Sequence, residues 1–303
     1  MRNQSWRRDW LWQGLTLGAA LLLLGFLTNN FLVNARQLGL ALNFDFFWSG
    51  DRPASFNIGD SPIPFQASDP LVKALLVGLL NSLRVTGVGI IFATILGVLI
   101  ALARLGPHWL LAQLARLYVA VLRNTPLLLQ LFFWYFNVFL QLPPGDNPQR
   151  LGAWLVLSNQ GLELGAVRLA PEYAALVTGL TVYTSAFIAE VIRGGLQAVD
   201  RGQAEAAKAL GLQEWTLLRR VVFPQALPII LPSLTSEYLN LAKNSSLAIA
   251  IGFSDLYAVA STLANQTGRA VEMLLVVMGA YLLINGVIAA LMNQVLERVK
   301  FEH

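Results

Sequence analysis

Hydrophobic positions in this chain come in long unbroken blocks, at about 11–33, 77–103, 115–141, 172–192, 229–252 and 271–296. A helix rises about 1.5 Å per residue, so roughly 20 apolar residues cross a hydrocarbon core of about 30 Å, and each block has that reach. Lipid offers no water to bare backbone groups, so a crossing chain is helical or a closed barrel. Barrels show alternation in segments of about ten residues, not continuous runs. The pattern predicts an all-α integral membrane protein with about six transmembrane helices.

Two connections are long. The first, 34–70, carries Pro53, Pro62, Pro64 and Pro70 among scattered Gly and Asp and reads as irregular extracytoplasmic structure. The second, 142–170, opens with LPPGDNP and continues with GAWLVLSNQGLELG. That run is too short to span, which leaves an interfacial or re-entrant helix or a hairpin. As one helix, the 34 residues from Leu71 to Arg104 would measure about 51 Å, so their first part is expected to lie along the outer surface or tilt strongly. No internal repeat or heptad pattern is visible. The chain divides into an N-terminal helix with its external loop, 1–70, and a transmembrane domain, 71–303. The N-terminus, RNQSWRRDW before LLLLGFL, has features of a signal peptide, with Val33-Asn34-Ala35 as a cleavage site. Its apolar run exceeds the 7 to 15 residues typical of such a segment, which favours a retained helix.

Composition agrees with the blocks. Hydrophobic residues make up 56%, charged residues 13%, and mean hydropathy is +0.58, outside the range of a water-soluble domain. A net charge of +4 could suggest nucleic acid, but in such a chain the placement of the charges says more. If the first helix enters from the cytoplasm, Arg2, Arg7, Arg8, Arg104, Arg116, Arg193, Arg201, Lys208, Arg219, Arg220, Arg298 and Lys300 fall on that side, against Arg36, Arg52, Arg150, Arg168 and Arg269 outside. Twelve against five obeys the positive-inside rule and puts both termini in the cytoplasm. Asp45, Asp51, Asp60 and Asp69 sit in the first external loop. The absence of cysteine removes disulfides and thiolate metal sites.

One polar island interrupts the apolar sequence: Glu205 to Pro224, EAAKALGLQEWTLLRRVVFP. Ala206, Ala207 and Gly211 keep one helical face small enough for a partner's close approach. Leu210, Trp215 and Leu218 offer apolar anchors, and Pro224 is expected to end the segment. The order E-A-A, then Gly211, then Val221-Val222-Phe223-Pro224 resembles the cytoplasmic EAA loop of permease subunits of ATP-binding-cassette importers. Val221 and Phe223 replace the usual Ile and Leu. NSLRVTGVGI at 81–90, RNTPLLLQLFFWYF at 123–136, YTSAFIAEVIRGGLQAV at 183–199 and EYLNLAKNSSLA at 237–248 resemble the polar and general L-amino-acid branch of that family, with Asn124 in place of a common Gly.

The resemblance implies a type I importer permease fold. In it, a coupling loop at 194–228 presents Glu205, Ala206, Ala207, Gly211, Leu212, Trp215 and Pro224 to an ATPase dimer. It further implies an amino-acid importer in a bacterial inner membrane, an extracytoplasmic amino-acid-binding protein, and a second related permease, with a heterodimer favoured. ATP and Mg would be bound by the ATPase. No G-x-x-x-x-G-K-[ST] phosphate loop occurs in the chain, and no catalytic or metal-ligating constellation is present; His108 and His303 are isolated and read as surface residues.

Charges inside spanning helices cost at least about 2.5 kcal/mol at the bilayer centre and normally face a partner or an aqueous path. Arg84, Arg123, Glu190, Glu237 and Lys243 are the candidates. Glu190 reads as a structural pair with Arg193. Lys243, followed by Asn244 and Ser245, could hold an α-carboxylate, or could stabilise a helix break or dimer seam. Glu237 could meet an α-ammonium, although six residues, about 600° of helix, turn it to another side from Lys243. Arg84 with Asn81, and Tyr183 with Thr184, are weaker candidates for the pathway. A self-sufficient carrier driven by an ion gradient is the competing reading; it predicts inverted repeats and an ion site at broken helices.

Overall fold

The computed structural model describes residues 2–37, 44–47, 54–152 and 154–301. Asp51, Arg52, Pro53 and His303, named above, lie outside them. The chain forms two compact units, Met1–Phe46 and Phe47–His303. The first holds α1, Arg2–Gln37. Its stretch Trp12–Asn34 is long and apolar enough to cross a membrane. Leu21 to Leu24 are each more than half exposed. Such a surface is costly in water and is accepted by lipid.

In the second unit, α2 (Leu71–Leu105) and α3 (Trp109–Asn124) precede α4 (Leu127–Phe132), which runs on into a π-helical turn, Phe133–Phe139. Four short strands follow: β1 (Gln149–Leu151), β2 (Leu155–Ser158), β3 (Gly161–Leu164) and β4 (Val167–Leu169). Next come α5 (Pro171–Gln197), α6 (Arg201–Ala209), α7 (Glu214–Leu217), a π turn at Leu218–Val222, and α8 (Phe223–Asn244) with a 3-10 turn at Ser245–Ile251. The unit closes with α9 (Leu256–Thr267) and α10 (Ala270–Phe301).

Helices α2, α5 and α10 and the run Glu214–Ile251 are each long and apolar enough to cross a membrane, whereas α3 and α4 form a pair bent by 108°. Counted as one crossing, that pair brings the total to six with α1, among the described residues. Proline causes the break. Pro126 disfavours helix at the residue before it, and Thr125 is extended there (φ −105°, ψ 129°). Side chains then supply hydrogen bonds around the break: Gln130 Nε2 donates to the carbonyls of Leu122 and Thr125, both at 3.0 Å, and Thr125 Oγ1 donates to that of Val121 at 2.8 Å.

The start of α2, expected along the outer surface or strongly tilted, is packed within the bundle. α2 is one 35-residue helix, and Leu71, Ala74, Leu75, Val77, Asn81 and Ser82 near its start are buried because α9 packs across them. α2 and α5 share the most extensive interface of the bundle, built from Ala93, Ala101, Ala186, Ile188 and Ala189. A Cβ on Gly97 would stand 2.6 Å from Ile188 Cγ2, so only glycine lets the two backbones come this close.

Of the alternatives for 142–170, the chain takes the hairpin form, as a four-stranded antiparallel meander in the order β1-β2-β3-β4. The sheet ends where α5 begins and α6 begins where α5 ends, which places sheet and α6 at opposite ends of the bundle.

Candidate functional site

At the α6 end, a short polar helix is held by local chemistry. Asp200 caps it, accepting the Gly202 N–H at 2.6 Å, and Lys208 stands in its last turn, each with the sign the helix dipole favours. Its stop is a Schellman turn. The Gly211 N–H donates to the Lys208 carbonyl at 2.9 Å and the Leu212 N–H to that of Ala207 at 3.2 Å, with Gly211 left-handed at φ +79°. The glycine of the motif is therefore required by the backbone.

Around this turn Leu210 is 83% and Trp215 65% exposed, with Glu205 and Ala206 exposed beside them. Ala207 is buried and Leu212 half-buried. α6 folds back on α7 and the π turn, so Ala207 serves packing within the chain, and the small face expected for a partner is narrower than Ala206, Ala207 and Gly211 together. Pro224 does not end the segment. The Phe223 N–H reaches back five residues to the Leu218 carbonyl, and this wider turn gives the proline ring room where an α turn would clash.

Where α5 leads into α6, Glu190 accepts hydrogen bonds from Arg104 at the end of α2 and from Arg193 one turn along, and Arg193 also donates to Gln197. The expected pairing of Glu190 with Arg193 is present; Arg104 joins from 86 residues away, where no local pattern could announce it. The cluster ties α2 to α5 beside the loop.

Midway along the bundle, three helices bring polar groups together. Glu237 of α8 is half-buried within electrostatic range of Arg123 on α3, and Tyr183 on α5 feels both charges. The Arg123 guanidinium lies 5.0 Å from the Phe187 ring centre, and the Tyr183 and Phe187 rings meet tilted at 47° with centres 4.9 Å apart. Sequence patterning offered Glu237 and Tyr183 but left Arg123 apart from them and passed over Phe187. The bend after Asn124 leaves Arg123 in the last turn of α3, a consequence visible in sequence only as Thr125-Pro126.

Other candidates stand elsewhere. Thr184 is buried in the packing. Arg84 pairs with Asp60 at 2.7 Å and lies 3.9 Å over the Tyr173 ring. Asn81 donates to the carbonyls of Asp60 and Ser254 at 2.8 and 3.0 Å. Both therefore hold the 54–70 segment to the sheet end of the bundle. Lys243 is exposed and makes no ion pair among the described residues, Asn244 is half-buried, and Ser245 is buried with its hydroxyl on the Ala242 carbonyl at 2.8 Å.

The chain is similar to known proteins. Residues 93–301 match the family model described as binding-protein-dependent transport system inner membrane component. The putative amino-acid ABC transporter permease protein YhdX of Escherichia coli is 37% identical over 94% of this chain and 92% of its own. The general L-amino acid transport system permease protein AapQ of Rhizobium johnstonii is 35% identical over 94% and 90%. A crystal structure of an amino acid ABC transporter with histidines superposes with a TM-score of 0.61 at 29% identity, over 75% of this chain and 94% of that one. The chain belongs to the family of binding-protein-dependent transport system inner membrane components.

Proposed function

We propose that the chain is the permease subunit of an ATP-driven amino-acid importer, forming half of the translocation pathway. The observation that carries this is the α6 turn: a capped polar helix, closed by Gly211, that leaves Leu210 and Trp215 exposed at the end of a membrane-crossing bundle. Exposed apolar anchors on a rigid turn suit a protein groove. Glu205, Ala206, Ala207, Gly211, Leu212, Trp215 and Pro224 make up or support this coupling surface, within a loop spanning 194–228. ATP and Mg belong to a separate ATPase dimer docking there. A related permease supplies the other half of the pathway, and an extracytoplasmic amino-acid-binding protein meets the sheet end. Both termini then face the cytoplasm of a bacterial inner membrane, with 1–70 as an added helix and external loop and 71–303 as the transport domain.

The cargo reading rests on Arg123, Tyr183 and Glu237. A free amino acid carries an ammonium and a carboxylate on one carbon, and a half-buried acid near a cation can meet both ends. The uncompensated Lys243, with Asn244 and Ser245, is a second carboxylate contact at the far end of α8; Arg84 and Thr184 contribute through packing. The ion-coupled alternative draws no support: a broken helix occurs in such carriers, but this chain's relatives depend on a binding protein.

Co-reconstitution with ATPase, second permease and binding protein is expected to give ATP-dependent amino-acid uptake. Leu210→Glu is expected to abolish uptake while the permease still folds and inserts. Uptake by this chain alone in proteoliposomes would sink the proposal. Competition among amino acids, repeated with Glu237→Gln and Lys243→Ala, tests the cargo site; unchanged affinity and rate in a variant remove that residue from it.

A further inference from the structure

We propose that the four-stranded sheet is an amphipathic platform whose apolar face rests on lipid, at the level where chain and head group meet. Strand register sorts its side chains into two faces. Leu151, Leu155, Leu164 and Val167 lie opposite one another in one row, and Leu157, Leu162 and Leu169, with Gln149 at the edge, form the next row of the same face. The other face carries Arg150, Val156, Glu163 and Arg168.

The two apolar rows have different surroundings. Leu162 and Leu169 pack on the cluster built from α4, its π turn and α5. The row beside them overhangs: Leu151 and Leu164 are 50% exposed and Val167 56%. Trp154, in the turn between β1 and β2, is 79% exposed, and its carbonyl accepts the Gly165 N–H. Because both rows share a face, the overhang looks the same way as the leucines seated on the bundle, toward the medium that surrounds its crossing helices. Helix α4 and its π turn present Leu129, Phe133 and Phe136 to that medium, as a lipid-facing flank does. A tryptophan exposed in a turn at the sheet's margin suits the interface, and Arg150 on the far face can reach anionic head groups with its long stem, beside Arg168, which donates to the Gln160 carbonyl at 3.4 Å. This requires only that the bundle crosses a membrane; neither cargo nor ATPase enters it.

The chain contains no cysteine, so each single label is unique within it, and it is attached to this subunit before the transporter is assembled. In the assembled transporter in lipid nanodiscs, nitroxides at Leu151→Cys, Leu164→Cys and Val167→Cys, and at Arg150→Cys and Glu163→Cys, are compared by collision with oxygen and with a water-soluble nickel chelate. The oxygen-to-nickel ratio is expected to be several-fold higher for the apolar row than for the polar face. Equal ratios on both faces would mean that the sheet stands in water. Suppression of both collisions at the apolar row would mean that protein covers it, a second permease or a binding protein. Either result overturns the proposal, and transport by each labelled variant confirms that the site kept its fold.

Discussion

Gly211 shows how a motif residue acts through backbone alone. A Cβ there would meet nothing within 4 Å, so only its φ of +79° resists substitution, at roughly 1–2 kcal/mol for an L-residue in the left-handed region. Gly211→Ala is therefore expected to loosen the turn and lower binding-protein-stimulated ATP hydrolysis. Gly211→Asn, which tolerates that region better, should retain more; equal losses would point to a missing contact instead. Asp255, between the last crossings, is fully buried, caps α9 through the Ala258 N–H at 2.8 Å, and accepts the Tyr281 hydroxyl at 3.1 Å. Burial pushes its carboxyl up from 3.8 to about 6, with its hydrogen bonds opposing. The folded chain thus holds this proton more tightly than the unfolded one, and the stability it confers at low pH is lost as pH rises through about 6, an effect of about 3 kcal/mol. Asp255→Asn keeps the capping oxygen. In thermal unfolding it is expected to be stabilised relative to the parent at pH 7.5 and to lose that advantage near pH 4.5; an equal difference at both would contradict the burial argument. Ion pairs were the least legible residues: Arg104 with Glu190, and Arg84 with Asp60, join positions 86 and 24 apart.

Whole helices were easier to read than their interruptions. Blocks at 77–103, 172–192 and 271–296 correspond to α2, α5 and α10, because an apolar run of crossing length has one stable form in lipid. Block 115–141 hid a sharp bend, since hydropathy averages over the Thr125-Pro126 step that makes it. Pro224 misled in the other direction: a proline reads as a stop until a π turn is known to precede it. The seam of α2 and α5 gives a test. Gly97→Val is expected to lower the melting temperature and the folded yield, because Ile188 stands where the new side chain would go. Ile188→Ala in the same chain should restore part of the loss. Gly87→Val, on the same helix with nothing within 4 Å, is the control and should cost little.

At the scale of the molecule, sequence conveyed the transmembrane class and the position of the polar 205–224 loop but not how that loop connects to the rest. That connection runs through Glu190, whose side chain is about one quarter exposed. Replacing its charge leaves Arg104 and Arg193 facing each other, at a cost of about 1.5–3 kcal/mol for the lost charged hydrogen bonds. Glu190→Gln is expected to lower amino acid carried per ATP hydrolysed more than it lowers hydrolysis itself; parallel losses would reduce Glu190 to a stabilising residue. The two routes leading away from the loop differ mechanically. α2 is an uninterrupted 35-residue rod of roughly 52 Å, fixed by Glu190 at one end and by Asp60 and Ser254 near the other. The run into α8 contains a π turn and then Pro224, Pro228 and Pro232, each a place where a helix yields. The loop thus joins the bundle through one stiff arm and one compliant arm, and strain applied there is expected to bend the proline-bearing run into α8 before it bends α2.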